Sequence, residues 1–354
     1  MRVAVLGLGL IGGSVALAAR DRADGVTVAG FDPDPAALAG ALAGGAVDEA
    51  CDSPAAALEG AAICFLCAPV TVLPALLAET LAAAPADCVV TDVGSTKLGI
   101  VRATDDERFV GGHPIAGSEA AGIEHARADL FEGAPWYLTP GTRSSGVLYE
   151  RLYRLISDFG ARPSAIDAET HDRMLAKVSH LPHVVANILV AQAGEGGDTL
   201  PRVGPSFRDA TRVAGANSGI WTGIYTTNAE AIADEVEAAA ARLSDFAGLL
   251  RAGDAAAIES WNESAREDRR RLLEADLEGG VLHELHVSVP NQPGIVAQVA
   301  LALGKGGVNI VDMALAPAPD NRSGSITLWI AGDDPAAKAR ELIGQLGFPV
   351  LEPS

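Results

Sequence analysis

Positive charge is scarce in this chain. Its 354 residues carry 26 Lys and Arg against 46 Asp and Glu, a formal net charge of −20. A chain so acidic repels phosphate backbones and anionic bilayers, so neither nucleic acid nor a membrane is expected as a partner. Cysteine is scarce too, and Cys51, Cys64, Cys67 and Cys88 all fall before residue 90. The Cys64-x-x-Cys67 spacing suits zinc or redox chemistry, but no second pair accompanies it and it lies inside the apolar run ICFLCAPV. Thiols buried in a core strand are the expectation. Uninterrupted apolar runs of membrane-spanning length are also missing. Ala61–Ala78 is uncharged, but Pro69 and Pro74 interrupt it, which fits a buried strand followed by a new helix. The N-terminus imitates a secretory signal, with Arg2, an apolar run and Ala16-Leu17-Ala18. Four glycines break that run, and cleavage would destroy a complete βαβ unit. A cytoplasmic location is expected.

That unit is the most informative stretch present. Residues 3–32 read VAVLGLGLIGGSVALAARDRADGVTVAGFD: an apolar strand, then Gly7-x-Gly9-x-x-Gly12, a helix, and a second strand ending at Asp32. The first glycine permits a sharp turn, the second lets backbone approach a pyrophosphate, and the third lets helix pack on strand. The helix start offers free N–H groups and a positive dipole end to phosphate. Asp32 stands where a carboxylate accepts from both hydroxyls of an adenosine ribose and repels a 2′-phosphate, which favours NAD over NADP. Asp32 also precedes Pro33 at a helix start, so it doubles as a candidate N-cap of a helix over residues 34–42. Cofactor contacts are assigned to Gly7, Gly9, Leu10, Ile11, Gly12, Asp32, Ala68 and Pro69. NAD and any acidic substrate are anions, so in a chain this acidic the arginines near a site gain interest.

The length predicts two or three domains. Over residues 1–165 apolar strands (VAVLGLG, VTVAGFD, AAICFLCAP, CVVTDVG, RFVGGHPIAG, PWYLTP) alternate with Ala/Leu-rich helices. This predicts an α/β, doubly wound, mostly parallel sheet covered on both faces. Residues 166–279 lose the strand signal and predict an all-helical domain ending in a helix from Trp261. Its helices exceed what one small domain covers, so dimerisation is expected. After the Gly279-Gly280 linker, residues 281–354 follow a βαββαβ order, the ferredoxin-like arrangement. PNQPG (Pro290–Gly294) turns the first strand into its helix, and residues 307–310 open the second strand.

Several motifs carry chemistry. DVGSTK begins at Asp92 and GGHPIAGSEAAG at Gly111, both at the sheet's carboxyl edge, where ligands bind in such folds. His171-Asp172, SHLPH (Ser179–His183), FRDATRVAG (Phe207–Gly215) and Trp221 follow. His180 and His183 share one helical face at i,i+3, but no cluster of recognised spacing completes a metal site, and no metal is expected. In this order the motifs resemble the prephenate dehydrogenase family over nearly the whole chain, and the tail resembles an ACT domain, an amino-acid-sensing module.

The resemblance implies NAD-dependent oxidative decarboxylation of prephenate to 4-hydroxyphenylpyruvate in tyrosine biosynthesis. It implies His113 as the catalytic histidine and Ser95 as the serine that bonds both the histidine side and the substrate hydroxyl. An imidazole titrating near pH 6.5 suits the first role. Arg212 is implied to grip a substrate carboxylate through its planar fork. His183 is implied to face substrate, with His180 structural, and Glu119 and Trp221 to lie near the substrate's side chain. Arg208 and Asp209 are implied to reach the neighbouring subunit's site in a homodimer. An amino-acid effector, tyrosine, is expected on residues 281–354, at Asn291, Gly294 and Asn309. Arogenate dehydrogenase is the nearest alternative. A 3-hydroxyacid dehydrogenase is opposed by GGHPIAGSE and the ACT-like tail, and a non-catalytic tyrosine sensor is opposed by intact His113, Ser95 and Arg212.

Overall fold

Strand β1 (Arg2–Leu6) is buried on both faces, so it reads as a continuous apolar run rather than an alternating one. With β2 (Thr27–Phe31), β3 (Glu49–Ala50), β4 (Ile63–Leu66) and β5 (Val89–Asp92) it forms a wholly parallel sheet of order β3-β2-β1-β4-β5. Val3, Val5, Ile63 and Phe65 enter one core, and Ala4, Leu6, Cys64 and Leu66 the other, as the two-residue period of a strand requires. The strand order reverses between β1 and β4, and there the loops after the two strands part to leave a crevice. The computed structural model describes residues 1–117, 120–195, 202–275, 281–290, 295–317 and 323–351.

Three further strands, β6 (Val110–Pro114), β7 (Pro135–Pro140) and β8 (Arg162–Ala165), form a second sheet. The parallel bridge Val90–Phe109 links it to β5, while β6 and β7 run antiparallel. β8 has no apolar signature because RPSA is an edge strand with mostly exposed side chains. Cys51, Cys64 and Cys88 are buried and Cys67 half-buried, all as free thiols. Burial pushes the thiols of Cys64, Cys67 and Cys88 up, that of Cys88 to about 12, so they stay protonated at neutral pH.

The helical region opens with Ala168–Leu175, capped by Asp167, whose carboxylate accepts from the Thr170 N–H. A wider π-helical turn, Ala176–His180, separates it from Leu181–Gly194. Pro182 explains the turn: it has no N–H to close a normal helical bond one turn back. By length and composition Ala168–Gly194 is the one helical run among the described residues that could cross a membrane. It nevertheless buries four polar side chains, His171, Asp172, His180 and His183. Helices Pro205–Thr211, Ser218–Thr227, Ala229–Ala252 and Ala255–Ala275 follow, the last starting six residues before the expected Trp261.

The chain divides into two compact units, Met1–Ala240 and Ala241–Ser354. In the second, β9 (Leu282–Pro290), β10 (Asp312–Pro317), β11 (Ser323–Ala331) and β12 (Val350–Leu351) form an antiparallel sheet of order β10-β11-β9-β12. Its first strand is interior, and helices Ile295–Lys305 and Asp333–Gln345 cover one core with it, which is the ferredoxin-like arrangement. The second strand starts at Asp312, not at residues 307–310. Asn309 is therefore an exposed residue of the preceding turn, not a strand residue. Asn291 and Gly294 lie outside the described residues.

Candidate active site

The loop after β1 is packed as its glycines require. Gly7 has φ +103°, and a Cβ there would lie 2.1 Å from the Cys67 carbonyl oxygen. A Cβ on Gly12 would lie 1.9 Å from the Gly7 oxygen, so helix and strand approach closely. Around Gly9 nothing lies within 4 Å of such a Cβ. That open space sits at the start of helix Leu10–Arg22, whose first turn holds no acid and whose cap makes no side-chain bond. Asp32 accepts from the Leu8 N–H at 2.6 Å and the Asp34 N–H at 2.8 Å. It is not the N-cap of the next helix, because Asp34 takes that position and accepts from the Ala36 N–H. A cleft of about 430 Å³ runs past residues 9–12, 67–71 and 93–95, with Ile220 and Ile224 completing its wall. Leu10, Ile11, Ala68, Pro69 and Ser95 thus share one cleft with Gly9 and Gly12. A backbone donor cradle with an open approach and a carboxylate on the second strand fits a dinucleotide.

His113 lies on β6, buried, with its Nδ1 2.9 Å from the Nε2 of His171. The other nitrogen of His171, Nδ1, lies 2.8 Å from Asp172 Oδ1. The same carboxylate accepts from the backbone N–H of Lys97 at 2.7 Å and of Leu98 at 2.9 Å, donors left open at the start of a short helix. Asp172 therefore holds one end of the loop that carries Ser95. Asp92 holds the other, accepting from the Gly94 N–H at 2.8 Å. Lys97 and Asp92 pair side chain to side chain, both fully buried, and Lys97 Nζ also donates to the Gly112 carbonyl at 2.8 Å. Burial pushes the Lys97 ammonium down and the Asp92 charge pushes it back up. Burial above all, with the Lys97 charge adding to it, drives His113 well below the usual imidazole range. Its ring is therefore neutral at pH 7.

His183 stacks flat on Trp221, with ring centroids 3.6 Å apart and planes 3° from parallel. Its Nδ1 bonds the Tyr225 hydroxyl and lies 3.1 Å from Asn187 Nδ2. Its Nε2 is buried with no partner in hydrogen-bond geometry among the described residues. Burial lowers its pKa, and the neighbouring Val213 backbone opposes this. His180 instead bonds Asn228, whose amide also donates to the Asp172 carbonyl, and burial lowers His180 to about 4. The turn that starts at Arg212 packs against helix Leu181–Gly194. Arg212 is exposed, as are Arg208 and Asp209 on the preceding helix, where Arg208 donates to the Val203 carbonyl. Glu119 lies outside the described residues. His171 and Asp172 stood out in the sequence as a motif without a role, and Asp92 and Lys97 only as letters of DVGSTK. Tyr225, Asn187 and Asn228 carried no signal.

Two family descriptions match. "Prephenate dehydrogenase, nucleotide-binding domain" covers residues 15–164, and "Prephenate dehydrogenase, dimerization domain" covers residues 167–263. The prephenate dehydrogenase of Lactococcus lactis is 31% identical over 85% of this chain and 86% of its own. The solved structure of prephenate dehydrogenase from A. aeolicus, in complex with hydroxyphenyl propionate and NAD+, is 29% identical. Its TM-score is 0.70 over 76% of this chain and 97% of that one. Synechocystis arogenate dehydrogenase is 30% identical, with TM-score 0.69 over 77% of this chain and 100% of its own. With two family descriptions that together span most of residues 15–263 and a relative 31% identical over most of both chains, the chain belongs to the prephenate dehydrogenase family.

Proposed function

We propose that this chain oxidises prephenate with NAD, releasing carbon dioxide and 4-hydroxyphenylpyruvate in tyrosine biosynthesis. The observation that carries the reading is a buried neutral imidazole, His113, on the strand beside the loop that bears Ser95, itself a wall residue of the dinucleotide cleft. NAD supplies the acceptor for the hydride from ring C4 when bound. Gly9 and the amides after it hold the pyrophosphate, and Asp32 takes the ribose hydroxyls. Ser95 and His113 polarise the ring hydroxyl, and His113 takes its proton. Loss of the ring carboxylate restores aromaticity, so the protein need only position the substrate and accept one proton. His183, Trp221, Glu119 and Arg212 serve the substrate, Arg212 by pairing with a carboxylate. The direct test follows NADH absorbance with prephenate and, separately, arogenate. Formation with prephenate supports the reading. Formation with arogenate alone, which the likeness to the Synechocystis enzyme makes the second reading, moves the substrate to arogenate. Silence with both sinks it.

The proposed organisation assigns residues 1–165 to the dinucleotide, 166–279 to substrate and dimerisation, and 281–354 to an ACT-type sensor. A homodimer is supported by Val178, Val185, Ile188 and Val190, which leave large apolar area exposed on the helical run that also buries the site histidines. A second copy covers such a face at less cost than solvent does. Equilibrium sedimentation at micromolar concentration is expected to give twice 36.1 kDa. A lone monomer removes this interface and the cross-subunit role of Arg208 and Asp209.

Tyrosine is the effector proposed for residues 281–354, with Asn291, Gly294 and Asn309 as its contacts. It inhibits only if it binds the less active arrangement more tightly. Inhibition of the full chain is expected to persist at saturating prephenate, with Asn309→Ala raising the half-inhibitory concentration severalfold. Inhibition that prephenate fully relieves places tyrosine in the active site as a product mimic instead.

A further inference from the structure

One bonded pair of buried side chains, His171 and Asp172, reaches His113, and its geometry bears on where the proton of His113 sits. Asp172 is a carboxylate whose Oδ1 already accepts a backbone N–H, so toward His171 it acts only as an acceptor. The Nδ1 of His171 must therefore carry a hydrogen. In a neutral imidazole that leaves Nε2 as a lone pair, and Nε2 is the atom 2.9 Å from His113 Nδ1. His113 must then donate through Nδ1, which leaves its own Nε2 unprotonated. We infer that Asp172 and His171 act in series as positioning residues that hold His113 in the Nδ1–H tautomer, presenting Nε2 as the base.

This rests on the assignment of His113 as the base. The proton that leaves the substrate hydroxyl arrives on Nε2, and His113 becomes an imidazolium that keeps its Nδ1–H on His171. No second transfer is needed. The His171 lone pair meets the new charge, and behind it the Asp172 carboxylate polarises the chain of bonds. The surroundings favour such help, since all three side chains are buried from water. Lys97, His180 and the Tyr137 ring face this group, with the Asp92 charge held by Lys97. None of these is an acceptor bonded to His113 Nδ1, so His171 is its one such partner among the described residues.

The test reads tautomers directly. Full-length enzyme with ¹⁵N-labelled histidine is expected to show His113, assigned by its absence from His113→Asn, with a protonated Nδ1 and a bare Nε2. Observation of a bare Nδ1 overturns the inference whatever the role of His113 in turnover. Kinetics add an independent arm. His171→Leu removes the acceptor and is expected to lower kcat about 10²-fold, while the Kd for NAD stays within twofold. His171→Gln keeps a carbonyl for His113 and an amide for Asp172, and is expected to recover most of the loss. If the leucine variant keeps wild-type kcat, or glutamine recovers nothing while the Kd for NAD and the melting temperature hold, the series has no positioning role. Wild-type turnover in His113→Asn with the expected tautomer intact would instead sink the base assignment and leave the bonding chain standing.

Discussion

His113→Asn is expected to lower kcat by about 10²–10⁴-fold, the range for losing one positioned acid–base group. Asparagine is smaller than histidine and retains a polar head, so the strand should still pair with β7 and the fold should survive. What it cannot do is accept a proton. The pH dependence separates this role from a packing role. Burial above all, with the Lys97 charge adding to it, holds the His113 pKa well below 6.5. A base with a depressed pKa is deprotonated above that pKa and fails only when the pH falls through it. The wild-type kcat profile is therefore expected to stay flat from neutral pH down past 6.5 and to fall only in more acidic solution. The residual activity of the asparagine variant should lack that acid limb. A variant with wild-type turnover, or an acid limb unmoved by the substitution, removes His113 from proton transfer.

The second large effect is expected where the cofactor loop leaves β1, and it distinguishes two glycines of one motif. Gly7→Ala places a side chain at φ +103° and drives its Cβ into the Cys67 carbonyl, which is backbone and cannot swing aside. A left-handed residue costs about 1–2 kcal/mol, and overpacking costs a further ~1–3. At about 2–4 °C per kcal/mol for a domain of this size, the melting temperature should fall by roughly 4–20 °C. Gly9→Ala meets nothing within 4 Å, so its melting temperature should hold. Its methyl group stands where a pyrophosphate must approach the backbone, and the Kd for NAD is expected to rise about tenfold or more. Thermal melts with calorimetric titration of NAD check both. Wild-type NAD affinity in Gly9→Ala would show that the phosphates are not held there.

The fold was largely legible because its strongest signals are local. Parallel strands buried on both faces announce themselves as apolar runs, and the βαββαβ order of the tail survives in the spacing of its elements. What escaped lacks such a pattern. β8 is an edge strand of RPSA, and the antiparallel turn of β7 against β6 depends on a long connection rather than on either strand's sequence. Asp32 and Asp34 show the same limit, since two acids at one helix start compete for the cap and only geometry assigns it. For the site, residues that follow strand ends were readable from position and resemblance. Lys97 and Asp172 were not, because a buried charge is indistinguishable in sequence from a solvated one, and the Asp172 carboxylate meets the Lys97 backbone N–H only once 75 residues of chain have folded between them.

Asp172 carries one further implication, for attempts to transplant this enzyme's parts. A single carboxylate both supports the bonded histidines and fastens the two amides that end the Ser95 loop. The nucleotide domain is therefore not a cassette that can be exchanged at residue 165 with its chemistry intact. A chimaera that takes its first 165 residues from a relative must bring a loop whose amides still meet this carboxylate. The seam must preserve the fit between residues 92–98 and residues 171–172, however far apart they stand in the chain.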